Sequence, residues 1–289
     1  ADQGSIIVTG EIDASGTTGG AIDLAAHGNL VVDASARLSV AGEEFNSAGQ
    51  GGRITLTAGA TRDGASSPSA LLDLRTGAVV DLSVLEAVTD SAQYGRLTGT
   101  LHLRAPRSAD GTEVGVAPLN GSIVNASSIL VEGFRVYDLT STNGTITSAV
   151  QQAVRSDAEA FLGASGTTTD GYTALRTRLL GTDPQGFGPA FVLAPGAEII
   201  HRTGDLTLGT ASSNPGSDWN LQSFRFGPAG APGVLTLRAA GNLTFFNTLS
   251  DGFAAVEPAA ANGNSSLWLA PLLAQNPLLP ANTQSWSYR

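Results

Sequence analysis

The sequence predicts an all-β chain, a right-handed parallel β-helix (β-solenoid) with an inserted α-helical hairpin. Three observations point there. Short units punctuated by glycine recur along the chain. Inside them aliphatic and polar residues alternate. One stretch near the middle changes to helical spacing.

The recurring unit is Gly-x-Φ-x-Φ-x-Ala-x-Gly-Asn-Leu, where Φ is aliphatic. It fits Gly20–Leu30 and Gly233–Leu243 in full, and Gly52–Ala58 and Gly99–Ala105 over its first half. Its second half returns at Gly204–Leu208 and Gly241–Phe245. A second unit, Φ-Asp/Asn-Ala-Ser, occurs at Ile12–Ser15, Val32–Ser35 and Val124–Ser127. Repeats of about 20–25 residues, each with two or three very short strands, are the mark of stacked solenoid turns. On the alternative reading of a carboxylate-using enzyme, Asp13 and Asp33 would stack one turn apart.

Within the units the apolar residues keep a period of two. Ile22/Leu24, Leu30/Val32, Ile54/Leu56, Leu101/Leu103, Leu206/Leu208 and Leu243/Phe245 are expected to face one core. Thr, Asp, Ser, Arg and His fill the positions between them. One face is therefore buried and the other wet. Strands of three to five residues are expected, bounded by Gly, Asn, Asp and Ser.

Ser148–Leu162 departs from this pattern. Val150, Val154, Ala158, Phe161 and Leu162 fall on one helical face, and Gln151, Arg155 and Glu159 on the other. A second helix is expected over Asp170–Leu180, with Asp170 as N-cap, a Tyr172/Leu175/Leu179 stripe and Gly181 at its end. The resulting division is solenoid turns over 1–146, the helical hairpin over 147–189, further turns over 190–253, and a Pro/Ala/Asn-rich covering loop with the start of another strand over 254–289.

Composition excludes several functions. The 289 residues carry a net charge of −10, and all fifteen basic residues are arginine. An acidic chain without lysine is not built for nucleic acid. Without cysteine there are no disulfides, no thiolate nucleophile and no Cys-ligated zinc. The chain lacks methionine and begins at Ala1, so a processed piece of a longer polypeptide is expected.

No catalytic, cofactor-binding or metal-ligating residues stand out. His27, His102 and His201 share no His-x-His or His-Glu-x-x-His spacing and read as surface side chains. Asp13, Asp33 and Asn125 suit repeated Asx turns better than a pair of catalytic carboxylates. Arg176 and Arg178 offer a solvated helix face or a contact for an acidic glycan. Trp219, Phe224, Phe226, Phe245, Phe246, Phe253, Trp268 and Trp286 crowd the last quarter, as core or as a sugar-stacking or subunit surface.

The steps Gly28-Asn-Leu-Val-Val32, Gly241-Asn-Leu-Thr-Phe245, Ile12–Ser15 and Val32–Ser35 resemble the passenger regions of two-partner-secretion exoproteins, the filamentous-haemagglutinin-like adhesins of bacteria. The segments Val154–Gly171, Phe191–Ile200 and Trp219–Gly227 are similar to a large-exoprotein subfamily. The family's Asn-Pro-Asn-Leu secretion motif has no counterpart, since Asn214-Pro-Gly and Asn276-Pro-Leu depart from it. The resemblance implies export through an outer-membrane transporter and display outside the cell. The expected function is a non-enzymatic structural section of a secreted surface fibre or adhesin. Its expected partners are further copies end to end, or the rest of a longer chain, and a glycan or surface receptor. The alternatives on the same fold are a polysaccharide lyase or glycoside hydrolase, and a glycan-binding module.

Overall fold

A computed structural model describes residues 1–60, 67–86, 97–211 and 218–250. The chain makes successive passes over three parallel sheets. The first pass is β1 (Ile6–Val8), β2 (Glu11–Asp13) and β3 (Ala21–Ala25). The second is β4 (Leu30–Val32), β5 (Arg37–Ser39) and β6 (Arg53–Thr57), and the third is β7 (Leu72–Leu74), β8 (Val79–Asp81) and β9 (Thr100–Pro106). A fourth adds β10 (Ser122–Val124) and β11 (Ser128–Asp138), with Val116 bridged to Leu72 where its first strand would lie. Each pass lays its strands beside those of the previous one, giving the sheets β1-β4-β7, β2-β5-β8-β10 and β3-β6-β9-β11. The arrangement is solenoid-like.

After β12 (Thr145–Ile146) the path is interrupted by α1 (Ser148–Leu162) and α2 (Asp170–Leu180). It resumes in β13 (Phe191–His201), which pairs with β11 in parallel from Ile129↔Phe191 to Asp138↔Ile200. Beyond it come β14 (Leu206–Leu208), β15 (Trp219–Asn220), β16 (Arg225–Phe226), β17 (Ala231–Pro232), β18 (Val234–Ala239), β19 (Leu243–Phe245) and β20 (Leu249–Ser250). β18 adds to β13 and completes a six-stranded parallel sheet. Among the described residues, β16 and β17 are the one antiparallel pair of strands.

The register explains the core. Leu24, Leu56, Leu103, Val131 and Leu193 stand in one row across β3, β6, β9, β11 and β13. Ile22, Ile54, Leu101, Ile129 and Phe191 form the row beside it. Ile12, Leu38, Val80 and Ile123 do the same on the second sheet. Side chains alternate across a strand, so in-register stacking turns each period-two pattern into a continuous apolar ladder.

Several expectations are corrected. Passes are unequal: Ile6 pairs with Leu30, but Leu30 pairs with Leu72, well outside a repeat of 20–25 residues. Connections carry the extra length without disturbing register. β11 and β13 have 11 residues each, not three to five. They run past the stacked core because α1 covers their continuation. Leu243 and Phe245 are exposed on β19, the last strand of its sheet, rather than facing the core. The covering loop expected over 254–289 lies outside the described residues.

The helices form at the expected residues. Thr147 caps α1, its hydroxyl accepting from the Val150 amide. Thr169, not Asp170, caps α2, and Asp170 occupies the first turn, where the helix dipole favours an acid. The hairpin is part of the core, not an appendage. Val154, Ala158, Phe161, Leu162, Leu175 and Leu179 are buried in the same cluster as the ladders. Gly133 of β11 makes room for α1, since a Cβ there would lie 2.8 Å from the Phe161 ring.

Sharp turns before the six-stranded sheet impose a glycine column. A Cβ on Gly52 would sit 2.5 Å from the Val40 carbonyl oxygen, and one on Gly99 2.7 Å from that of Gly52. In the next pass Ser127 holds this place, its hydroxyl donating to the Thr98 carbonyl at 2.7 Å. Gly52→Ala is expected to cost about 1–3 kcal/mol of stability through this overlap, read as a lower urea midpoint. An unchanged midpoint would contradict the steric account.

Candidate functional site

The densest group of chemically capable side chains lies across the six-stranded sheet, on the face opposite the aliphatic ladder. Leu101, Leu103 and Ala105 of β9 point to the core, which leaves His102 and Arg104 on the other side. Register places Glu132 of β11 beside Arg104, and Ala194 of β13 beside Glu132. Glu198 comes four residues further along β13, on the same face.

These residues form a continuous row. His102 Nε2 is 2.8 Å from Glu132 Oε2, and Arg104 Nε donates to Glu132 Oε1 at 3.0 Å. The far side of the same guanidinium donates to Glu198 Oε2 at 2.6 Å. Arg238 of β18 closes the row, its Nε 3.0 Å from Glu198 Oε1 as an ion pair without hydrogen-bond alignment. The Arg104 guanidinium also lies over the Phe134 ring, 3.9 Å from its centroid. Gly196 is required beside this row, because a Cβ there would collide with the Glu132 carboxylate and stand 2.8 Å from Phe134 Cβ.

Burial decides what the row can do. Glu132 is 1% exposed and Glu198 0%. Arg104 holds both carboxylates and Arg238 adds to Glu198, so two guanidiniums and two acids compensate one another inside the row. A general acid or a nucleophilic carboxylate must reach a substrate atom. Here both acids are committed to Arg104 and covered. The arrangement is suited to tying β9, β11, β13 and β18 together.

The remaining candidates are dispersed. His27 Nδ1 faces the Ala60 carbonyl at 3.0 Å in a turn, and His201 ends β13. His102, expected to face solvent, is instead drawn onto Glu132 and half-buried. Asp13 and Asp33 do not stack. Asp13 is registered against Ser39 in the second sheet, whereas Asp33 follows β4 of the first. The units that carry them look alike but occupy different corners of the pass. Asp13 Oδ1 accepts from the Ser15 amide at 2.8 Å, the expected Asx turn, and Asp33 Oδ1 from Ala34 at 2.9 Å and from Arg75 at 2.9 Å. Arg178 anchors α2, pairing with Glu113 at 2.8 Å and donating to the Val114 and Val116 carbonyls. Trp219, Phe224 and Phe226 are buried with edge-on contacts, while Phe245 and Phe246 are exposed. Phe253, Trp268 and Trp286 lie outside the described residues. Among the described residues, no three His, Asp or Glu side chains are placed to hold a metal ion.

The Asp81 turn at the end of β8 has a titration consequence. Burial pushes its carboxyl up, but hydrogen bonds from the Ser83 hydroxyl and amide, then Arg37 at 2.6 Å, outweigh it and hold the group below its ordinary value. A depressed folded value gives stability that is present above the unfolded carboxylate value of about 4 and is lost as pH falls through the folded one. Asp81→Asn is therefore expected to lower the melting temperature at pH 7 and to flatten its fall below about pH 4. An identical acid limb in both proteins would refute the assignment.

Comparison with protein-family models, with curated proteins and with solved structures found no match.

Proposed function

We propose that this chain is a structural section of a secreted bacterial surface fibre or adhesin, built as a right-handed parallel β-helix and working without catalysis. One observation carries the reading. In each of the three main sheets strand follows strand in parallel and in register, so that aliphatic rows run continuously along one axis. Such stacking makes a stiff element whose length is set by the number of passes. The charged row supports it, because its acids are used within the sheet. The exoprotein-like Gly-Asn-Leu and Asp-Ala-Ser steps suggest the route, export through an outer-membrane transporter.

The first pass offers a natural contact for assembly. β1, β2 and β3 each end their sheets, and Ile7 is exposed there. Edge strands of one polarity accept another chain running the same way. End-to-end stacking of copies, or continuation within a longer chain, is the partner relation proposed, with a glycan or surface receptor bound on the exterior.

Electron microscopy over a concentration series, with fibre diffraction of aligned samples, tests this. Rods that lengthen with concentration and a meridional spacing of about 4.8 Å are expected. Isotropic particles without that spacing would remove the proposal.

A further inference from the structure

Beneath α1 lies a small cavity of about 20 Å³ between the helix and the far half of the six-stranded sheet. Its walls are mainly apolar and include Val154, Ala158, Ala197 and Phe226. Two polar atoms on residues lining it have no partner, Arg107 Nε and Trp219 Nε1. Arg107 is 5% exposed and Trp219 2%. Both atoms are N–H donors on side chains with no acceptor. An occupant must therefore accept hydrogen bonds.

Charge narrows the choice. Among the described residues no carboxylate forms an ion pair with Arg107. Its Nη1 donates to the backbone carbonyl of Asp157 at 3.1 Å, and its guanidinium lies 5.1 Å from the Phe161 centroid. The Asp157 carboxylate is engaged elsewhere, by the Tyr137 hydroxyl at 2.9 Å and by Arg135 at 3.3 Å. Two guanidiniums thus share one acid. Tyr137 supplies no second negative charge, since burial and then Asp157 push its hydroxyl up to about 12. A buried cation without full compensation is costly.

We infer that this cavity is a binding site for a small monovalent anion of the halide class, held by Arg107 Nε and Trp219 Nε1. The volume suits one small occupant, as a single water needs about 10–15 Å³. Water would satisfy the two donors but would turn its own hydrogens toward apolar walls, whereas a halide has none to place. The anion supplies the charge that Asp157 does not, and it fixes α1 against β13.

Crystals soaked in sodium bromide test the site directly. An anomalous peak within hydrogen-bond reach of both nitrogens is expected. In solution, Trp268→Phe with Trp286→Phe leaves Trp219 as the sole indole. Bromide titrated against sulfate at constant ionic strength should quench its emission saturably. Arg107→Gln, in the same background, should weaken that binding about tenfold or more. If Arg107→Gln misfolds, the bromide soak and the quenching of the Arg107-bearing protein remain decisive. Water density without an anomalous peak overturns the inference. So does a peak accompanied by strictly linear quenching, which would mean binding at crystal concentration only.

Discussion

Replacing Glu198 with alanine is expected to lower the unfolding free energy by about 3–5 kcal/mol, the usual cost of breaking a buried ion pair by removing one partner. Glu198 is fully buried and receives Arg104 at 2.6 Å and Arg238 at 3.0 Å. Its loss leaves the nearly buried Arg104 with only Glu132 and strands part of its guanidinium. Joint replacement by Arg104→Met, Glu132→Leu and Glu198→Met should behave differently. It removes the three buried charges and leaves the exposed Arg238 to solvent, and apolar packing of similar volume is often neutral or stabilising by about 1–4 kcal/mol. Guanidinium chloride unfolding of both variants separates the cases. A single mutant within about 1 kcal/mol of wild type would mean that solvent or another group satisfies Arg104.

Leu103→Ala is expected to cost about 2–5 kcal/mol, the transfer term plus the cavity left in a close-packed core. Leu103 is fully buried at the centre of its row, between Leu56 and Val131. In a stacked architecture a defect is felt first by the adjoining passes. Amide hydrogen exchange should therefore accelerate earliest in β6, β9 and β11, with β1 and β2 of the first pass changing least. Uniform acceleration throughout would show that the passes unfold as one cooperative unit.

Much of this architecture was legible in the residues. Alternation at Ile54/Leu56 and Leu101/Leu103 identified buried strand faces because a sheet with one apolar face has no other way to satisfy them. The 3.6-residue spacing of Val154, Ala158, Phe161 and Leu162 gave α1 its correct ends. Pass length was not legible, because the connections between paired strands differ in size and carry no periodic signal. The charged row escaped for a related reason. Arg104, Glu132 and Glu198 are single charges in separate strands, and only register brings them together. The available hint was a lone glutamate inside each of two otherwise apolar stretches, Ile129–Phe134 and Ala194–Ile200. Asp13 and Asp33 show the converse, similar local sequence placed at different corners.

The six-stranded sheet has a kinetic consequence. Its spatial order, β3-β6-β9-β11-β13-β18, is also the order of the chain. No strand must be threaded between two that are already paired. A polypeptide delivered N-terminus first, from a ribosome or through a narrow exit, always meets a finished template and only has to extend it. The entropy of loop closure is then met one strand at a time, the longest wait falling at β13, where the helical hairpin must emerge before pairing to β11 can begin.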